Sequence, residues 1–160
     1  MKRATKVLAP GTWNAKDGAG SVLLTFDDRY RRRTRLTDSA GNAFLLDLDK
    51  PRILQHGEGL ALEGGGVLAV IAADEPVADI DTHSAAETAR IAWHIGNRHI
   101  PVQVLDNGSL RIRDDHVLVE MIEGLGAHVH RRQAPFSPEG GAYSAEATGH
   151  AHHHGHDHDH

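Results

Sequence analysis

Between Val77 and Arg131 the cap and turn signals come in an order that few architectures accommodate. Val77-Ala78-Asp79-Ile80-Asp81 alternates as a strand does. Ser84 and Glu87 stand at capping-box spacing, a hydroxyl for the first orphan N–H groups and a carboxylate three residues later. Ala85, Ala89, Ala92 and Ile95 follow at helical spacing, so a helix is expected to about Ile95, with Gly96 or Asn97 taking the left-handed conformation that stops it. Pro101–Leu105 and Leu110–Arg113 flank Asp106-Asn107-Gly108-Ser109, a strong hairpin signal. Val117–Leu125 reads as a second helix ended at Gly126, and Ala127–Arg131 as a last strand. The order β-α-β-β-α-β is the ferredoxin-like motif.

Residues 1–75 have a different texture. Val22–Phe26, Phe44–Leu48, Ile53-Leu54, Leu60–Leu62 and Val67–Ala72 are short apolar runs separated by Gly, Asp and Pro, which predicts a small β barrel or sandwich, with Lys50-Pro51 breaking one strand. The whole is therefore an α+β chain. A β-rich domain over 1–75, a ferredoxin-like domain over 76–143 and a disordered histidine-rich tail over 144–160 are expected. In the segment after Gln133, Phe136 and Tyr143 are the side chains expected to pin the chain to the domain. Beyond Ser144 the composition is too polar to bury anything.

Composition narrows the function. With no cysteine, disulfides and thiolate metal sites are excluded, and any metal is left to His, Asp, Glu or backbone oxygen. A net charge of −5 does not favour a bulk grip on nucleic acid. No apolar run has the length of a membrane span or a signal peptide, so no membrane role and a cytoplasmic location are expected. An enzyme is not indicated. There is no HExxH pair and no nucleophile elbow, and Gly64-Gly65-Gly66 lacks the Lys-Ser/Thr of a phosphate loop.

Histidine is the residue left to carry chemistry. Seven of the last eleven residues are histidine: His150, His152, His153, His154, His156, His158 and His160. Such a tail collects metal without preformed geometry, with Cu(II) above Ni(II) in affinity. Eleven residues reach roughly 36–40 Å at full extension, enough to approach a folded site. His99, just after the first helix, is the candidate fixed ligand, with His94 near the same helix end. A two-fold contact between copies would bring two His99 side chains to one axis. His116, behind Asp114-Asp115 at a helix start, reads as a cap or packing residue before a ligand. His128 and His130, two apart on a strand, share a face as a solvent-facing polar edge. His56 and His83 are isolated in sequence. Because a ligand imidazole must be neutral, metal affinity at such sites should fall below about pH 6.5.

Arg29, Arg31, Arg32, Arg33 and Arg35 crowd seven residues. Two readings stay open: a solvated strand that discourages edge pairing, or a docking patch for an acidic partner.

Gly96-Asn97-Arg98-His99 after a helix, Asp115-His116-Val117-Leu118 after a hairpin, the Pro135–Tyr143 segment and the histidine-rich end together resemble the UreE family of urease accessory proteins, nickel metallochaperones. Asp28–Arg33 with Arg35-Leu36 is similar to that family's N-terminal domain. The resemblance implies an N-terminal module that docks other accessory proteins and a C-terminal domain that forms homodimers, or tetramers with metal. His99 would bind one Ni(II) across the dimer axis, with Cu(II) or Zn(II) competing. The tail would gather further ions, and nickel would pass to the accessory GTPase and on to apo-urease. Where some relatives carry extra histidines, this chain has Arg113, Asp114 and Asp115, so an auxiliary site there would rest on His116. Passive metal storage by the tail is the alternative.

Overall fold

Phe44, Leu46 and Leu48 are buried and alternate with more exposed neighbours along β4 (Ala43–Ile53), the period of two that a one-sided strand requires. The same inward faces recur in β1 (Lys2–Leu8), β2 (Gly18–Leu24), β3 (Tyr30–Thr37), β5 (Gly59–Leu62) and β6 (Val67–Ala72). The computed structural model describes residues 1–140. In it these six strands form one mixed sheet in the order β2-β6-β5-β1-β4-β3. Its two edges approach each other: Ser39 N, in the turn after β3, donates to Ser21 O of β2 at 2.8 Å, and the two hydroxyls lie 2.7 Å apart. The sheet thus curls around a single, mainly aliphatic core that includes Ala4, Val22, Phe44, Leu46, Leu60 and Val70.

Two local expectations are corrected, and one strand is added to those read from the sequence. Lys2–Leu8 is a central strand whose basic residues hide the alternation in the sequence. Pro51 does not end β4, because residues 52 and 53 pair with β3 alone and a register shift precedes them, so no second ladder needs the missing N–H. A four-residue helix, α1 (Phe26–Arg29), interrupts the otherwise all-β half.

The second half runs β7 (Asp74–Asp81), α2 (Ala85–Asn97), β8 (Gln103–Val104), β9 (Leu110–Arg113), α3 (His116–Gly124) and β10 (His128–Pro135). The sheet order β10-β7-β9-β8, antiparallel throughout, is the ferredoxin-like topology expected from the cap and turn signals. Both helices bury Ile91, Ile95, Val119 and Ile122 against Ala78, Ile80, Leu110 and Ile112 of the sheet. Among the described residues no helix is long and apolar enough to cross a membrane.

A separate cluster joins the two halves: Phe26, Val77, Ala134 and Phe136, with Ile53 packed beside them. The Phe26 and Phe136 rings meet edge to face at 5.5 Å. Around them Glu75 Oε2 accepts from Phe26 N at 2.9 Å, and Arg113 pairs with Asp27 at 2.7 Å. Arg29 is buried and donates to the carbonyl of Phe136 and to Ser137 Oγ. The chain then crosses to β8, where Ser137 N donates to Gln103 Oε1, Glu139 N to Val102 O, and Val104 N to Glu139 Oε1. Phe136 therefore pins this segment as expected, whereas Tyr143 lies outside the described residues. Because Phe136 is fully buried, Phe136→Ala should cost about 3–5 kcal/mol in denaturant unfolding. A cost under about 1 kcal/mol would show that the seam contributes little.

Candidate metal centre

Helix α2 begins as the sequence indicates. Ser84 is the N-cap, and its hydroxyl accepts from Glu87 N at 3.1 Å. The returning carboxylate reaches one residue further than a standard box: Glu87 Oε2 accepts from His83 N at 3.3 Å. The helix ends later than expected, at Asn97, with Arg98 as its C-cap. Neither Gly96 nor Asn97 is left-handed. That conformation falls on His99, at φ 57°, the one non-glycine residue with positive φ among those described.

The hydrogen bonds explain why. His99 N donates to Gly96 O at 3.0 Å and Ile100 N to Ile95 O at 3.3 Å. These are the paired bonds of a Schellman motif, with His99 in the position glycine usually takes. Ile100 packs on the same cluster as Ile95, the apolar contact that accompanies the motif, and Pro101 then prevents the helix from resuming. His99 is thus exposed on a rigid, doubly closed helix end, and its backbone bears a cost of about 1–2 kcal/mol for any residue with a Cβ. Strain of this kind collects at functional positions.

The other histidines fall into two groups. His94 is half-buried in the last turns of α2, its ring 5.0 Å from that of the exposed Trp93. His116 is exposed and does not cap α3. Asp115 does, accepting from Val117 N and Leu118 N at 3.0 and 3.1 Å. His56 serves the fold, its Nδ1 accepting from Ala72 N at 3.2 Å. His128 and His130 lie on the edge strand β10. His130 Nε2 is 3.0 Å from Asp81, and the His128 ring is 5.3 Å from His83. His83 is therefore not isolated; the register that pairs His128 with Asp81 brings it a neighbour 45 residues away, a contact no local signal announces. Among the described residues no three or more His, Asp or Glu side chains gather to hold an ion. His150, His152, His153, His154, His156, His158 and His160 lie outside the described residues. An exposed imidazole on a fixed helix end can bind a first-row ion but cannot enclose it.

The arginine run divides. Arg29 belongs to α1 and spends its Nη1 and Nη2 donors inside, and burial pushes its guanidinium below its ordinary pKa while Glu75 opposes this. It is thereby removed from any docking surface. Arg31, Arg32, Arg33 and Arg35 lie on the edge strand β3, where Arg31 pairs with Asp28 at 2.9 Å and Arg33 lies 3.7 Å from Asp47. The Arg3 hydrogen bond, ahead of the nearby Arg33 charge, holds the Asp47 carboxyl below its ordinary range.

If His99 is kept for its side chain rather than its backbone, glycine should replace it without structural loss. His99→Gly removes the left-handed penalty and adds about 0.5–1 kcal/mol of unfolded-chain entropy, so unfolding free energy should stay level or rise slightly while metal binding falls. A marked loss of stability in His99→Gly would mean that the imidazole serves the fold.

The chain matches two family profiles, one described as the N-terminal domain of the UreE urease accessory protein, over residues 4–73, and one as its C-terminal domain, over residues 75–160. It is 48% identical over 150 residues to the urease accessory protein UreE of Bradyrhizobium sp. (strain ORS 278), covering 94% of this chain and 70% of that one. It is 50% identical over 152 residues to the protein of the same name from Bradyrhizobium sp. (strain BTAi1 / ATCC BAA-1182), covering 94% and 73%. With the protein of that name from Rhodobacter capsulatus the figures are 44% over 151 residues, 94% and 92%. With both halves matched and identity sustained along nearly all its length, the chain belongs to the UreE family of urease accessory proteins.

Proposed function

We propose that this chain is a non-enzymatic nickel carrier of urease maturation. It captures Ni(II) on imidazoles in the cytoplasm and passes it through an accessory GTPase to apo-urease. The observation that carries this reading is His99, an exposed imidazole on a strained helix end where glycine would be cheaper. Ni(II) is held there as cargo, so an open, exchangeable site suits delivery where a closed cage would retain the ion.

One imidazole is too few, and the fold supports two sources of others. Trp93 and Val104 bracket His99 in sequence and expose 63% and 50% of their surface. A second copy of the chain covering this region would bring the partner's imidazole to a common axis. His94 would lie near that axis, and His116 would remain a peripheral ligand. The second source is the tail. Glu139 is fixed against Val102 and Val104, close in sequence to His99, and His150 follows eleven residues later. Collected ions would thus start their transfer from beside the fixed site, with Cu(II) and Zn(II) competing. Residues 1–75 would act as the partner-docking domain, offering Arg31, Arg32, Arg33 and Arg35, and residues 76–143 as the metal-binding and dimerisation domain.

Storage by the tail alone is the competing reading, and the absence of a three-ligand group among the described residues favours it. Equilibrium dialysis of Ni(II) against the chain truncated after Gly149 separates the two. About one tight Ni(II) per dimer, lost in His99→Ala, is expected for delivery. Loss of all tight binding on truncation alone would leave storage.

A further inference from the structure

We propose that His83 and His128 form a second, shallow site for a first-row divalent ion such as Cu(II) or Ni(II), at the edge of the four-stranded sheet. The site is independent of His99 and of nickel delivery. His83 precedes the start of α2 and His99 follows its end, and thirteen helical residues separate them by about 20 Å at 1.5 Å per residue.

The arrangement has the features of a prepared imidazole pair. The two rings lie 5.3 Å apart, centre to centre, at 64°. Two imidazoles that share one ion at about 2.0–2.1 Å per nitrogen place their ring centres at a similar separation, so a small rotation of the exposed His83 side chain suffices. His83 Nδ1 lies 3.2 Å from Glu87 Oε2. A carboxylate on one ring nitrogen fixes the orientation of the ring and leaves Nε2 for the metal. The second oxygen, Glu87 Oε1, is buried with no hydrogen-bond partner among the described residues. The start of a helix disfavours a cation, and here Glu87 and Asp81 supply the opposing negative charge. Asp81 lies opposite His128 in the ladder, held by Ser109 Oγ at 2.8 Å, and carries His130 on its other oxygen. Two protein ligands leave the remaining positions to water, so binding is weaker and faster in exchange than in a closed site.

The test uses the full chain, labelled with 15N, titrated with Cu(II) to an excess over all fourteen histidines. The readout is paramagnetic broadening of individual backbone amides, which separates this site from the tail. The amides of His83, Ser84 and Val129 should broaden together. His83→Ala and His128→Ala should each abolish that broadening and leave the response around Ile100 unchanged. Glu87→Gln, which keeps the helix cap, should weaken the site by about 10–100-fold. Both histidines are exposed, and the dispersion of each variant's spectrum checks its fold. Broadening that survives either single substitution would mean binding to a lone imidazole and would overturn the pair. Absence of local broadening at full excess would overturn it too, whatever happens at His99.

Discussion

The buried guanidinium of Arg29 ties the first half of this molecule to its C-terminal segment. A charge withdrawn from water is costly unless its donors are used. Here Nη1 and Nη2 donate to Ser137 Oγ and to the Phe136 carbonyl, more than a hundred residues further along the chain, while Nε has no partner among the described residues. Those two bonds fix where the C-terminal segment crosses the molecule. The same crossing puts Phe136 against Phe26 and Val77, closing the apolar seam between the two sheets. It also delivers Glu139 to the edge strand β8.

The helix end at His99 depends on purely local bonds. Ser84 starts α2, Ile91 and Ile95 anchor it to the sheet, and the Schellman pair stops it. The chain must then turn left-handed at the residue after the C-cap, where glycine would be the inexpensive choice. An imidazole held there by backbone geometry has a defined origin even though its side chain reaches into solvent. In the proposed function, that fixed base is what positions the imidazole for an ion that must be captured and then released.

What was legible in the sequence was what short-range chemistry controls. The Ser84–Glu87 spacing, the Asn107-Gly108 turn and Gly126 act within a few residues, and they sufficed to order β7 to β10 with their helices. What was hidden depends on partners far along the chain. Arg29 looked like one of five surface arginines, solvated or docking, since nothing nearby in sequence reveals the Phe136 carbonyl that receives it. Lys2–Leu8 was not marked as a strand, because its alternation is carried by Ala4 and a half-buried Val7 rather than by large apolar residues. His83 looked isolated because ladder register alone brings it to His128. The left-handed backbone of His99 was not legible: composition pointed to Gly96 or Asn97, and the packing of Ile95 and Ile100 carried the helix to Asn97 and the turn to His99.

In the proposed function the fixed imidazole hands nickel on, while the tail raises the local supply. The direct measurement is activation of apo-urease by the Ni(II)-loaded chain together with the accessory proteins, comparing His99→Ala with the chain truncated after Gly149. Activation should collapse in His99→Ala even with the tail fully loaded, and truncation should slow it only at low nickel. Normal activation by His99→Ala, with loss on truncation, would contradict the claim and place transfer in the tail.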